Sequence, residues 1–162
     1  MPGHHTNRRW IIIADGGRAR VLGLAANGES LDTLHEITSP DIHRQTHDLV
    51  TDGPGRSFES ASMARHAIAA KTDPHAQAKE DFITDLATML VGENQAHAFD
   101  DLVLVVTKAQ AHHLQTALDD ATRAKVREVI TKDLVKTPNP KIWDRMIEAR
   151  LLPSRPTMPG TR

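Results

Sequence analysis

The stretch HRQTHDLVTDGPGRSFES, residues 43–60, gathers the side chains of this chain best suited to chemistry: His43, His47, Asp48, Asp52, Arg56 and Ser57, around the turn Asp52-Gly53-Pro54-Gly55. Three kinds of chemistry could use them. Successive backbone N–H groups near Gly53 and Gly55 can form a nest for an anion, and Arg56 offers a planar fork that matches a phosphate. His47, Asp48 and Arg56 could act on a phosphate or acyl ester as acid, base and charge clamp. His43 and His47 have the i, i+4 spacing that would put two metal ligands on one face of a helix. The sequence has no HExxH, no Cys and no second ligand pair, so neither a metal nor any other cofactor is expected. The plain alternative for each residue alone is structural, with Phe58 tucked into the core and Arg56 held in an ion pair. For the stretch as a unit the binding reading is favoured, because compact domains rarely keep so long a segment without helix or strand period unless it carries function.

A rigid scaffold has to hold such a stretch. Trp10 to Ala14 is a short β-branched run that fits a buried central strand, and Asp15-Gly16-Gly17 is a tight turn. Arg18 to Leu24 reads as the returning strand, with Arg20, Leu22 and Leu24 on one face and Arg20 at the turn end. Asn27-Gly28 signals a second hairpin, and Leu31 to Ile37 a third strand. Asp73-Pro74 is an N-cap followed by proline in the first turn. The helix it starts should run to about Val91, with Gly92 near its end and Phe82, Leu86 and Leu90 on the buried face. Leu102 to Val106 is a second apolar strand, expected beside Trp10 to Ala14 in one mixed sheet. Thr107 to Gln110 has capping-box spacing and opens a helix to about Leu118. A helical turn from Asp120, a strand over Val126 to Thr131, and a helix capped by Asn139 and ended by Pro153 complete the series. The expected fold is a single α/β domain over residues 10–152, its mixed sheet opening with an antiparallel meander and helices packed on it. Residues 1–9 are expected to be a flexible N-terminus and 153–162 a disordered tail.

Composition narrows the function. The net charge is −1, from 20 Lys+Arg against 21 Asp+Glu, which is not the balance of a generic nucleic-acid binder. The charge is uneven: both ends are basic, while residues 72–100 carry Lys79 against Asp73, Glu80, Asp81, Asp85, Glu93 and Asp100. The absence of Cys agrees with a cytoplasmic location, and no apolar run suggests a signal peptide or membrane insertion. Gly16-Gly17 lacks the Lys-Ser/Thr of a phosphate-binding P-loop and reads as a hairpin turn. His112-His113 reads as a surface pair. Ser57, Ser60 and Ser62 are not in a GxSxG setting, so no complete catalytic motif is present.

Five phrases, WIIIADGGRARVL, HDLVTDGPGRSFES, RHAIAAKTDPHAQAKEDFITDLATML, FDDLVLVV and LDDATRAKVREVITKDLVKTP, resemble those of the bacterial host attachment protein family, also described as proteins required for attachment to host cells. The resemblance covers Trp10 to Pro138 and is most specific around Asp48 to Phe58 and at Thr72-Asp73-Pro74-His75. It implies kinship with the middle domain of the archaeo-eukaryotic peptide-chain release factor, an RNase H-like fold, and association with the ribosome. The Gly-Gly-Gln tripeptide that such a middle domain uses on peptidyl-tRNA is missing, so release activity is not implied. RNase H chemistry needs several carboxylates on metal ions, and only Asp15 lies at a plausible strand end. The reading that follows is a non-enzymatic binding protein, its partner the ribosome or structured RNA. The alternatives are a hydrolase using His47, Asp48 and Arg56, and an assembly protein acting through a homo-oligomeric face. In the first reading His47, Asp48, Asp52, Gly53, Gly55, Arg56 and Ser57 converge on one concave surface near the turn of Asp15 and Gly16.

Overall fold

The computed structural model describes residues 7–40 and 73–152. These form strands β1 (Arg9–Ala14), β2 (Arg18–Leu24) and β3 (Leu31–Thr38), helix α1 (Pro74–Gln95), strand β4 (Asp101–Val106), helix α2 (Lys108–Ala117), the single turn α3 (Asp120–Arg123), strand β5 (Val126–Thr131) and helix α4 (Asn139–Glu148). They build one five-stranded mixed sheet in the order β3-β2-β1-β4-β5. The first three strands are an antiparallel meander, whereas β4 pairs parallel with β1 and β5 parallel with β4. This order is compatible with the RNase H-like arrangement that the family resemblance implies.

The apolar strands take the centre because each needs cover on both faces. Trp10, Ile12 and Ala14 of β1 pack with Leu102, Leu104 and Val106 of β4 beneath α1 and α2. Ile11, Ile13, Val103 and Val105 point the other way, onto Leu134, Val135 and the Ile142, Trp143 and Met146 stripe of α4. Phe82, Leu86 and Leu90 of α1 are buried on the first face, while Lys79, Asp81 and Asp85 are exposed, as their spacing predicts. Across β3 the register slips: Val21 pairs with His35 and Leu22 with Thr33, which leaves Leu34 as the extra residue of a bulge. Its side chain lies down over Gly23, where a Cβ would come within 2.7 Å of Leu34 Cδ1.

Asp73 caps α1 as expected, its carboxylate accepting from His75 N at 3.0 Å. Three local expectations are corrected. Helix α1 runs through Gly92 to Gln95, because Asn94 on its last turn is buried and donates to Thr122 Oγ1 at 3.2 Å, which anchors that turn to α3. Thr107 precedes α2 but its hydroxyl makes no cap hydrogen bond. The residue at the N-cap of α4 is Pro138, with Asn139 the first helical residue, and α4 ends at Glu148 rather than running on to Pro153. The amide of Asn139 is used elsewhere, in the cleft described next.

A basic cleft at the turn end of the meander

Of the residues singled out by sequence, Asp15 is described; His43, His47, Asp48, Asp52, Gly53, Gly55, Arg56 and Ser57 lie outside the described residues. Asp15 closes its own turn. Its Oδ1 accepts from the N–H of Gly17 at 2.8 Å and of Arg18 at 2.7 Å, and its own N–H donates to the carbonyl of Arg18 at 3.0 Å. The turn is a hairpin, as read from Gly16-Gly17. The Lys79 side chain rests on Gly16, where a Cβ would meet Lys79 Cγ at 2.7 Å. The N–H of Ser39 donates to the carbonyl of Gly17 at 2.8 Å. Both described flanks of segment 41–72 are therefore tied to this turn, Ser39 directly and α1 through Lys79.

Beside the turn, on the α4 face of the sheet, lies a cleft of about 440 Å³, within the range of small-ligand sites. Arg18, Arg20, Thr33, Glu36 and Thr38 line it from β2 and β3, and Lys136 and Thr137 from the segment before α4. Arg20 is its fixed element. Its Nη1 donates to the carbonyls of Val135 at 3.0 Å and Thr137 at 2.5 Å, and its Nη2 donates to Asn139 Oδ1. The Asn139 amide in turn donates to the carbonyl of Leu31 at 3.2 Å and to Thr33 Oγ1 at 3.0 Å. Among the described residues, every acceptor around the Arg20 guanidinium is neutral, so its charge has no counterion there. Arg18 and Lys136, both exposed, add two further positive charges, and Glu36 is the one carboxylate of the lining.

The opposite end of the sheet shows what a neutralised arginine looks like. Arg9 Nε and Nη2 donate to the two oxygens of Asp101, both at 2.6 Å, and Nη1 donates to the carbonyl of Leu151. The hydrogen bonds to Asp101 hold the Arg9 guanidinium above its usual range, against the opposing effect of burial. Burial pushes the Asp101 carboxyl up, but hydrogen bonds from Arg9 and Asn7 and the charges of Arg9 and Arg127 outweigh it and hold the group below the ordinary carboxylate range.

The other candidates are dispersed. His113 Nε2 lies 3.0 Å from Thr84 Oγ1 across the α1–α2 contact, while His112 is exposed. Among the described residues, no three His, Asp or Glu side chains are placed to hold a metal ion, and no helix is long and apolar enough to cross a membrane. Sequence reading placed Arg20 only as a strand residue and missed it as a cleft residue. The signal it carried was a cation on a strand face otherwise occupied by Leu22 and Leu24.

Comparison with protein families finds a match over residues 10–146 to the family described as protein required for attachment to host cells. No curated protein matches the chain. The family match begins at the first buried residue of β1 and ends on the buried stripe of α4, so it takes in the sheet, both helical layers and every residue that lines the cleft. This chain belongs to the family of proteins required for attachment to host cells.

Proposed function

We propose that the chain works as a non-enzymatic binding protein of this family, and that the cleft beside the Asp15–Arg18 turn receives a phosphate group of a structured RNA, the ribosome included. The observation that carries this reading is Arg20. Its fork is immobilised by Val135, Thr137 and Asn139, yet its charge meets no carboxylate among the described residues. An arginine held in place and left uncompensated is preorganised for an incoming anion, because little side-chain freedom remains to be lost on binding. Arg18 and Lys136 supply the steering charge. The turn also receives both flanks of segment 41–72, which supports the proposal that His47, Asp48, Asp52, Arg56 and Ser57 extend the same surface.

The test is binding of a fluorescent RNA hairpin by anisotropy across a salt series. Wild-type protein should bind with a logarithmic salt slope of roughly −2 to −3, reflecting two or three phosphate contacts. Arg18→Ala with Lys136→Ala should weaken binding and flatten that slope by about 2, with an unchanged melting temperature. Binding that keeps its slope in the double variant would place the RNA elsewhere. No binding at low salt would sink the function.

A further inference from the structure

The single carboxylate of the cleft narrows its ligand. Glu36 stands directly across the β2–β3 ladder from Arg20 and shares its face of the sheet, where a cross-strand ion pair would be expected. The pair is not formed: the Arg20 fork turns away to Val135, Thr137 and Asn139, and among the described residues Glu36 joins neither Arg18 nor Lys136. The cleft thus holds one fixed and two exposed cations next to an acceptor unengaged among the described residues, with Thr33, Thr38 and Thr137 around them. A ligand that were only an anion would be repelled by Glu36. One that carries a hydroxyl donor a few ångströms from its anionic group satisfies both.

We propose, resting on the function given above, that the cleft reads the ribose phosphate unit itself: phosphate on Arg20, Arg18 and Lys136, and a ribose hydroxyl donating to Glu36. The 2′-hydroxyl is the donor that separates RNA from DNA, so Glu36 is the residue that makes the cleft prefer RNA. A hydrogen bond to a charged acceptor corresponds to a preference of about tenfold or more.

Matched RNA and DNA hairpins of one sequence, titrated by anisotropy at one moderate salt concentration, test this. Wild-type protein should favour the RNA hairpin about tenfold. Glu36→Gln is isosteric at an exposed position, so it should fold like wild type; it should narrow the preference to about threefold or less, as the charge-assisted bond becomes a neutral one. Arg18→Ala should weaken both hairpins equally and keep the ratio. If Glu36→Gln tightens RNA and DNA alike and preserves the ratio, Glu36 only trims the charge of the cleft and the ribose assignment is overturned, while anion binding stands. If wild-type protein binds both hairpins equally, the same conclusion follows. If it binds neither at low salt, the proposed function fails together with this refinement.

Discussion

Arg9 and Arg20 sit on the same sheet, each half-buried and each tied to three acceptors, and they differ in what those acceptors are. Arg9 meets a carboxylate in a two-pronged contact with Asp101. Arg20 meets two carbonyls and a carboxamide. The first arrangement neutralises a charge and clips together the start of β1, the start of β4 and the segment after α4. The second keeps a charge and displays it in a cleft. Geometry alone would class both as structural; the formal charge of the partners separates a staple from a recognition element.

Four substitutions can break or sharpen this contrast. The largest effect sets the scale and involves neither arginine. Leu86→Ala, deep under α1, should cost about 2–5 kcal/mol by loss of contacts and a residual cavity, yet leave hairpin affinity unchanged at a temperature where the variant is folded. A matching loss of affinity would mean that binding simply reports stability and that the cleft has no special standing. A loss below about 0.5 kcal/mol by denaturant titration would show that the α1 face is packed otherwise.

Asp101→Asn comes next, at about 1–3 kcal/mol, below the range of fully buried pairs because the Arg9 and Asp101 side chains keep 16% and 19% of their exposure. Its signature is pH. Since the folded carboxyl titrates below its unfolded value, the pair's contribution is complete above the ordinary carboxylate range and is lost as the pH falls through the depressed folded value. Asp101→Asn should flatten this acid slope in a melting series. A slope equal to that of wild type would deny Arg9 its role as a neutralised staple.

Arg20→Met should cost about 1–2 kcal/mol, because it strips donors from two carbonyls and from Asn139, and it should weaken RNA binding. The acid slope should not change, as no carboxylate partners this residue among those described. Lys136→Ala has the smallest effect on stability, within about 0.5 kcal/mol, and should lower the salt slope of binding by about 1. If Arg20→Met were to unfold the protein while Lys136→Ala left the slope intact, Arg20 would be a second staple and the contrast would collapse.

Much of the frame was legible in the chain. The runs at Trp10 to Ala14 and Leu102 to Val106 announced strands with two covered faces, and they are parallel neighbours. Asp73-Pro74 announced a capped helix because both signals are local. What escaped was long-range. Asn139 looks like an N-cap in its own neighbourhood, but Arg20, 119 positions away, takes its carbonyl oxygen, and β3 takes its amide. Gly92 looks like a helix end, but buried Asn94 carries the helix past it. The cleft was invisible for the same reason. Arg18 and Arg20 are separated from Lys136 by most of the sequence, and only the sheet order and the crossing of residues 132–138 bring them together. The residues of 43–60 fall outside the described part, so their convergence stays a proposal.

The pairing of β1 with β4 joins Arg9 to Asp101 across the whole of segment 41–72. The two residues stand 92 positions apart, and the entropy of bringing chain positions together rises with the logarithm of their separation, about 0.6 kcal/mol for each doubling. The larger consequence is kinetic, as the parallel strand β4 must find β1 from far along the chain before the centre of the sheet can close.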